Sequence, residues 1–235
     1  MNAGQLLAEQ FQALGVLHNV VHGFTLRVAD IELSHDKMEA LARLDGVHRE
    51  ILSEHGLGRA RFITAQQVHG KRICVVDGAT GENECFESCD GLITNQRGIC
   101  VGIYVADCCA VYLVDPVRNA IGLVHSGKKG TELGVVSNAI RSMAEHFGSR
   151  ASDLVVQLSP CIRPPHYETD FAAEIARQCR DLGVTAVHDC GVCTACDLNR
   201  YYSYRAEKGC TGRMLAFLAL AQERAVSKPP FVAAN

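Results

Sequence analysis

Three short stretches carry residue types that can do chemistry. "QQVHG" places His69 between two runs of strand-forming residues. "VADCC" places Cys108 at an interruption in the most apolar part of the chain, and "GLVHSGKKG" places His125 at the end of an apolar run. Two imidazoles and one thiolate make a zinc-type donor set. Three protein donors leave a fourth tetrahedral position for water or substrate, the catalytic arrangement. Cys108 and Cys109 are adjacent, so in a strand they point to opposite faces and only one is expected to line a site. Ser126, Gly127 and Gly130 follow His125, with Lys128 and Lys129 adding positive charge ahead of a helix. A strand, a glycine turn and a helix in that order leave backbone N–H groups free for an anion. The glycine spacing fits neither a Walker loop nor a dinucleotide fingerprint.

A second stretch competes. In "DCGVCTACD", Cys190, Cys193 and Cys196 repeat at C-x2-C-x2-C, but residue 200 is Arg, so the fourth cysteine of an iron–sulfur run is missing. A zinc site there needs one more ligand, such as Cys210 or His188. A protein that stores or senses metal through these cysteines, with no enzymatic activity, is the reading that follows. Cys85 and Cys89 in "CFESC" give a weaker signal of the same kind.

The elements that must position these residues follow from periodicity. Leu6, Leu7, Phe11 and Leu14 predict a helix over residues 2–14, and "VVHGFTLRVA" predicts a strand. Ser34 is placed to cap a helix striped by Met38, Leu41, Leu44, Ile51 and Leu52, with Gly56 and Gly58 ending it. "RFITAQ", "RICVVD", "GLITN", "GICVGIYVA", "AVYLVDP" and "AIGLVH" then read as short β-branched strands, several apolar on both faces, as in a covered sheet. "TELGVVSNAIRSMAEHF" and "DFAAEIARQCRDLG" predict helices, the second stopped by Gly183, and "DLVVQLS" a strand between them. "RMLAFLALA" fits a strand or a buried helix equally. No linker or repeat divides the chain. The expectation is an α+β fold, mixed sheets packed in layers and flanked by helices, in a single domain over residues 1–235 with a loose tail at 227–235.

Composition limits the function classes. The 235 residues are 48% hydrophobic and 21% charged with a formal net charge of -3, an ordinary globular balance without a basic face, which argues against nucleic acid as partner. The N-terminal residues lack a signal-peptide pattern, and no apolar run is long enough for a bilayer, so no membrane partner is expected. Twelve cysteines without such a signal fit free thiols or metal ligands in the cytoplasm. A monomer or homodimer is expected.

"HGFTLR", "QVHG", "CDGLITN", "ADCCAVYLVDP", "GLVHSGKKG", "LSPCIRPPHYETD" and "YYSYRAEKGCTGRM" occur in this order. Together they resemble the laccase-domain family, the multicopper polyphenol oxidase-like proteins, also named zinc-dependent purine nucleoside phosphorylases and peptidoglycan-editing factors. The resemblance runs from about Val20 to Leu218. It implies that His69, Cys108 and His125 are metal ligands, and it adds Arg27, Asp90 and Asp107 as pocket or supporting residues. It also marks a divergent member: "VADIELS" replaces a glycine-rich loop after Arg27, and Lys128 and Lys129 replace a Trp and an Arg.

The resemblance implies purine nucleosides, with phosphate, as small-molecule substrates. Zinc suits the donor set, and copper can occupy the same site. Two reactions fit. One is attack of water at C6 of adenosine with loss of ammonia; the other is displacement of the purine at C1′ by phosphate. Arg27, Gly127, Lys129 and Gly130 are the expected phosphate contacts. Asp90 and Asp107 are expected to move protons or orient a ligand histidine, so the expected catalytic set is His69, Asp90, Asp107, Cys108 and His125. Polyphenol oxidation by copper is one alternative, opposed by the sequence because no two of the ten histidines form a His-x-His pair. The other alternative takes Cys108 and His125 as nucleophile and base of a hydrolase that cleaves a peptidoglycan precursor or another amide or ester.

Overall fold

Alternation of side chains at a period of two sets the architecture. In the computed structural model, which describes residues 8–81 and 84–222, the strands are β1 (Ala8–Glu9), β2 (Val20–Thr25), β3 (Arg61–Ala65), β4 (Ile73–Val75), β5 (Cys85–Phe86) and β6 (Gly91–Thr94). They continue with β7 (Ile99–Val105), β8 (Cys109–Asp115), β9 (Ala120–Ser126), β10 (Val155–Leu158), β11 (Ala186–Asp189) and β12 (Met214–Leu220). They form two mixed six-stranded sheets, β1-β2-β12-β7-β3-β5 and β11-β10-β8-β9-β6-β4.

The two sheets pack face to face. Val101, Ile103 and Val105 of β7 and Ala216 and Leu218 of β12 meet Ala110, Tyr112 and Val114 of β8 and Leu123 of β9. The intervening residues of the same strands face outward into helices. Cys100, Leu215, Phe217 and Ala219 pack beneath Ile51 and Leu52 of α2 (Lys37–Glu54). Cys109, Val111, Leu113 and Val124 pack beneath α4 (Val135–Phe147) and α5 (Phe171–Asp181). Two short helices, α1 (Gln12–Gly15) and α3 (Lys128–Glu132), complete the set. The result is the layered α+β arrangement with flanking helices that the strand pattern implies. "RMLAFLALA" resolves as a strand, buried on both faces between β2 and β7.

Three expectations need correction. The described part of residues 2–14 holds β1 and a single helical turn, because His22 Nε2 accepts the Phe11 N–H and pins the chain against β2. The helix expected at residues 131–147 is split, since Gly134 adopts a left-handed conformation (φ 72°) between α3 and α4. Asp36 rather than Ser34 caps α2, its carboxylate accepting the Glu39 N–H while Ser34 braces Asp36 and Glu39. The tail at 227–235 and residues 2–7 of the expected first helix lie outside the described residues.

Burial also leaves a titration signature. His48 on α2 is 2% exposed, and neither ring nitrogen has a hydrogen-bond partner. Burial pulls its pKa from 6.5 down to about 4. A histidine held neutral in this way contributes stability above its unfolded pKa and loses it as pH falls toward the folded value. Urea unfolding at pH 5 is expected to show a loss of about 2 kcal/mol from this residue relative to pH 7.5. In His48→Leu that part of the acid sensitivity should be absent; an unchanged pH dependence would contradict the assignment.

Candidate active site

His125 and Cys108 meet because of strand register. Ala110 lies opposite His125 in the β8–β9 ladder, and Cys108 immediately precedes β8. Both carry the parity of the residues that face the opposing sheet. His69 arrives from the loop after β3. That loop is clamped from two directions: the Gln67 side chain donates to the Tyr104 carbonyl and accepts the Tyr104 N–H, and Asp90 accepts backbone N–H groups from Val68, His69 and Gly70 at 3.3, 2.9 and 2.7 Å. The clamp holds His69 in the left-handed region (φ 59°), a conformation seldom adopted without such support.

Asp90 is fully buried and bonds His125 Nδ1 at 2.9 Å. One carboxylate therefore positions both histidines and leaves His125 Nε2 free to face the site. The His69 and His125 rings lie 4.8 Å apart, centre to centre, and His69 Nε2 is 3.8 Å from Cys108 Sγ. All three donor atoms lie within 4.8 Å of one another. Burial alone would push the Cys108 thiol up, but the two imidazoles outweigh it and bring it down to about 6. Burial would lower His125, yet the Cys108 thiolate and Asp90 raise it to about 9. A thiolate already favoured at neutral pH, two imidazoles at these separations and a carboxylate behind one of them suit a soft-to-borderline cation of the zinc class.

The trio opens into a cleft of about 500 Å³, within the range that holds a small-molecule ligand. Tyr104, Tyr167, Phe171 and Tyr204 supply aromatic wall, and Lys37, Lys128, Arg205 and Arg213 supply positive charge. Burial and the neighbouring Arg213 both lower the Lys37 pKa. Arg213 is itself 9% exposed and lowered by burial. Lys37 Nζ donates to the Gln66 carbonyl and Arg213 to the Thr211 and Gly212 carbonyls, so both cations are held at the cleft by backbone.

The expected phosphate contacts lie elsewhere. Arg27 is taken by Glu207 at 2.8 Å and stacks on Tyr202, outside the lining of the cleft. Lys129 is exposed, and it is Lys128 that borders the cleft. Gly130 is buried, and a Cβ on it would meet Val135 and the Gly70 and His125 carbonyls rather than open cleft. Gly127 serves Cys108: a Cβ on it would lie 2.4 Å from Cys108 Sγ. Its φ of -101° suits any residue, so the objection to a side chain is steric alone. Gly127→Ala is expected to fold, with unchanged circular dichroism, and to bind zinc about tenfold or more weakly in a competition titration.

Asp107 lines the cleft, but its two oxygens are engaged by Thr194 Oγ1 and the Arg205 N–H, both at 2.8 Å. It ties two loops together beside Cys108. The motif "YYSYRAEKGCTGRM" contains Tyr204, Arg205 and Arg213, so a signal for this part of the cleft was present in the sequence. Lys37 gave none, standing in the first turn of an ordinary amphipathic helix.

The match that decides kinship covers residues 23–179 and 166–221, against the family described as multi-copper polyphenol oxidoreductase laccase. The chain belongs to that family. Similar proteins include the purine nucleoside phosphorylase ORF3 of Streptomyces griseus, 30% identical over 74% of this chain and 81% of its own length. The purine nucleoside phosphorylase YlmD of Bacillus subtilis is 24% identical over 68% of this chain and 70% of its own. The crystal structure of YlmD from Geobacillus stearothermophilus superposes with a TM-score of 0.78, covering 92% of this chain and 99% of that one at 21% identity. A Bacillus licheniformis protein, YfiH, gives 0.80 over 94% and 98% at 20% identity. The laccase-family chain thus shares the fold of both. No helix among its described residues is long and apolar enough to cross a membrane.

Proposed function

We propose that this chain is a zinc-dependent purine nucleoside phosphorylase that also accepts adenosine for deamination. The observation that carries the reading is the joining of the His69–Cys108–His125 trio to a cleft with an aromatic wall and the paired cations Lys37 and Arg213. The relatives named purine nucleoside phosphorylase agree with it. Lys37 and Arg213 hold the phosphate dianion, which relieves their mutual repulsion. Tyr167 and Tyr204 supply aromatic surface for the base. Phosphate oxygen bonds to C1′ as the C1′–N9 bond breaks, and the purine leaves with the electron pair. A zinc ion held by His69, Cys108 and His125 would supply Lewis acidity at this end of the cleft. Asp107 keeps the Arg205 loop at the cleft wall while Asp90 keeps both histidines oriented.

Among the described residues, His and Cys donors gather in two separate groups of three, an arrangement that lends no support to multicopper phenol oxidation. A cysteine hydrolase is favoured by one observation, the thiolate–imidazolium character of Cys108 and His125. Zinc-loaded protein incubated with inosine or adenosine, with and without phosphate, separates the readings. The free base and ribose 1-phosphate should form only with phosphate, and Arg213→Ala should raise the KM for phosphate. Absence of turnover of either nucleoside by the zinc-loaded protein would overturn the phosphorylase. Metal-free activity abolished by alkylation of Cys108 would establish the hydrolase instead.

A further inference from the structure

Away from the cleft, His166 Nδ1 stands 3.7 Å from Cys193 Sγ and 3.6 Å from Cys196 Sγ. The three donor atoms lie within 4.8 Å of one another. A tetrahedral ion with metal–sulfur bonds of about 2.3 Å and metal–nitrogen bonds of about 2.0 Å sets a nitrogen-to-sulfur edge of about 3.5 Å. Both edges lie within about 0.2 Å of it. Cys193 is half-buried at the start of the turn Thr194–Cys196, whereas Cys196 and His166 are exposed. Cys190, the first cysteine of the C-x2-C-x2-C repeat, is absent from the group and packs against the core between the sheets, where burial pushes its thiol up to about 11. Neither His188 nor Cys210 joins the group.

The backbone around the trio is tied down on both sides. Residues 163–167 form a turn in which the His166 N–H donates to the Arg163 carbonyl. Arg163 reaches across to the Val192 carbonyl and to Asp189. Cys161 and Cys193 form an isolated β-bridge. The donors are therefore brought together by two supported turns rather than by flexible side chains alone. Thr194, between the two cysteines, is buried and donates to Asp107, and Tyr167, next to His166, borders the cleft.

We propose that His166, Cys193 and Cys196 form a second cation site, separate from the His69–Cys108–His125 trio, which takes a thiophilic ion of the zinc class with solvent at its fourth position. The ion pins the 163–167 turn to the 193–196 turn, both of which support the cleft. With two of three ligands at the surface, the second ion exchanges more readily than one held at the first trio. This site stands or falls independently of the nucleoside reading.

Reduced, untagged, full-length protein stripped of metal and titrated anaerobically with zinc alone, then with cobalt alone, provides the test. Wild type should bind two equivalents. Cys108→Ala should keep one, with cobalt–thiolate charge-transfer absorption of two sulfur ligands. Cys196→Ser and His166→Ala should each remove the second equivalent and leave the first, while Cys190→Ser should keep both. Circular dichroism checks that each variant is folded, and the two separate surface substitutions protect the test against failure of one to fold. A single equivalent in wild type that Cys108→Ala abolishes, or a second equivalent that survives both Cys196→Ser and His166→Ala, would overturn the site. Ready formation of a Cys193–Cys196 disulfide, with no second equivalent bound by the reduced protein, would assign the pair to dithiol chemistry and overturn it too.

Discussion

Cys108→Ala is expected to strip the cleft of its ion and its turnover, while Cys109→Ala keeps both. The two side chains are consecutive, yet they belong to different layers. Cys108 borders the cleft within 3.8 Å of His69. Cys109 is fully buried beneath α4 and α5, its Sγ 3.8 Å from the Ser159 carbonyl. Removing Cys108 takes away the only anionic donor of the trio. Loss of a partner behind a ligand already weakens metal binding by about 10–100-fold, so loss of a ligand itself should exceed that. Lewis-acid stabilisation is worth several kcal/mol at a transition state, which makes the expected loss of kcat/KM about 10²–10³-fold. Cys109→Ala removes one small buried atom and should cost about 1 kcal/mol of stability with metal content unchanged. Metal analysis beside steady-state rates for the two variants is the measurement. Equal metal loss in both would mean that the layers are assigned incorrectly.

The parts of this contrast that depend on period were readable from the sequence. Adjacent strand residues must face opposite ways, so the inequivalence of Cys108 and Cys109 needed no coordinates. His69, Cys108 and His125 stood out because polar donors interrupted apolar runs at strand ends. Other features depended on distance across the fold. Lys37 and Arg213 are remote in sequence and meet only because α2 and the segment leading into β12 border one cleft. Gly127 looked like part of an anion cradle, but the β8–β9 register puts Cys108 Sγ where its side chain would be. The repeat of Cys190, Cys193 and Cys196 suggested three equal ligands. A short turn keeps the last two together and sends the first to the core, while His166 comes from a loop that spacing could not connect to them. "RMLAFLALA" was ambiguous because a strand covered on both faces loses the alternation that identifies it.

Asp90→Asn should disable the first trio without touching any ligand. The substitution keeps the shape of the side chain and removes its charge. Asp90 accepts from three successive backbone N–H groups and bonds His125 Nδ1, all from a position with no exposure. Burial would raise its pKa, but the His125 ring and the Gly70 N–H outweigh it and hold the carboxyl below its ordinary value. An amide offers one oxygen to the same donors and turns an NH2 toward either His125 or the 68–70 backbone. Hydrogen bonds to a charged acceptor are worth about 1.5–3 kcal/mol each, so a stability loss of about 3 kcal/mol is expected once the amide satisfies part of the set. The larger effect is on position. With the clamp weakened, His69 is free to leave its left-handed conformation, and His125 loses the partner that fixes its tautomer and raises its basicity. Zinc affinity and kcat/KM should each fall by about 10–100-fold, with the substrate KM nearly unchanged, since Asp90 is not part of the cleft lining. The depressed carboxyl also gives a sign. Its contribution to stability is present above its unfolded pKa of 3.8 and is lost as pH falls through the lower folded value. Wild type and Asp90→Asn should therefore differ most in urea midpoint near neutral pH and converge under acid. A variant that kept full zinc affinity at pH 7 would show that the histidines are held by the strand ladder alone.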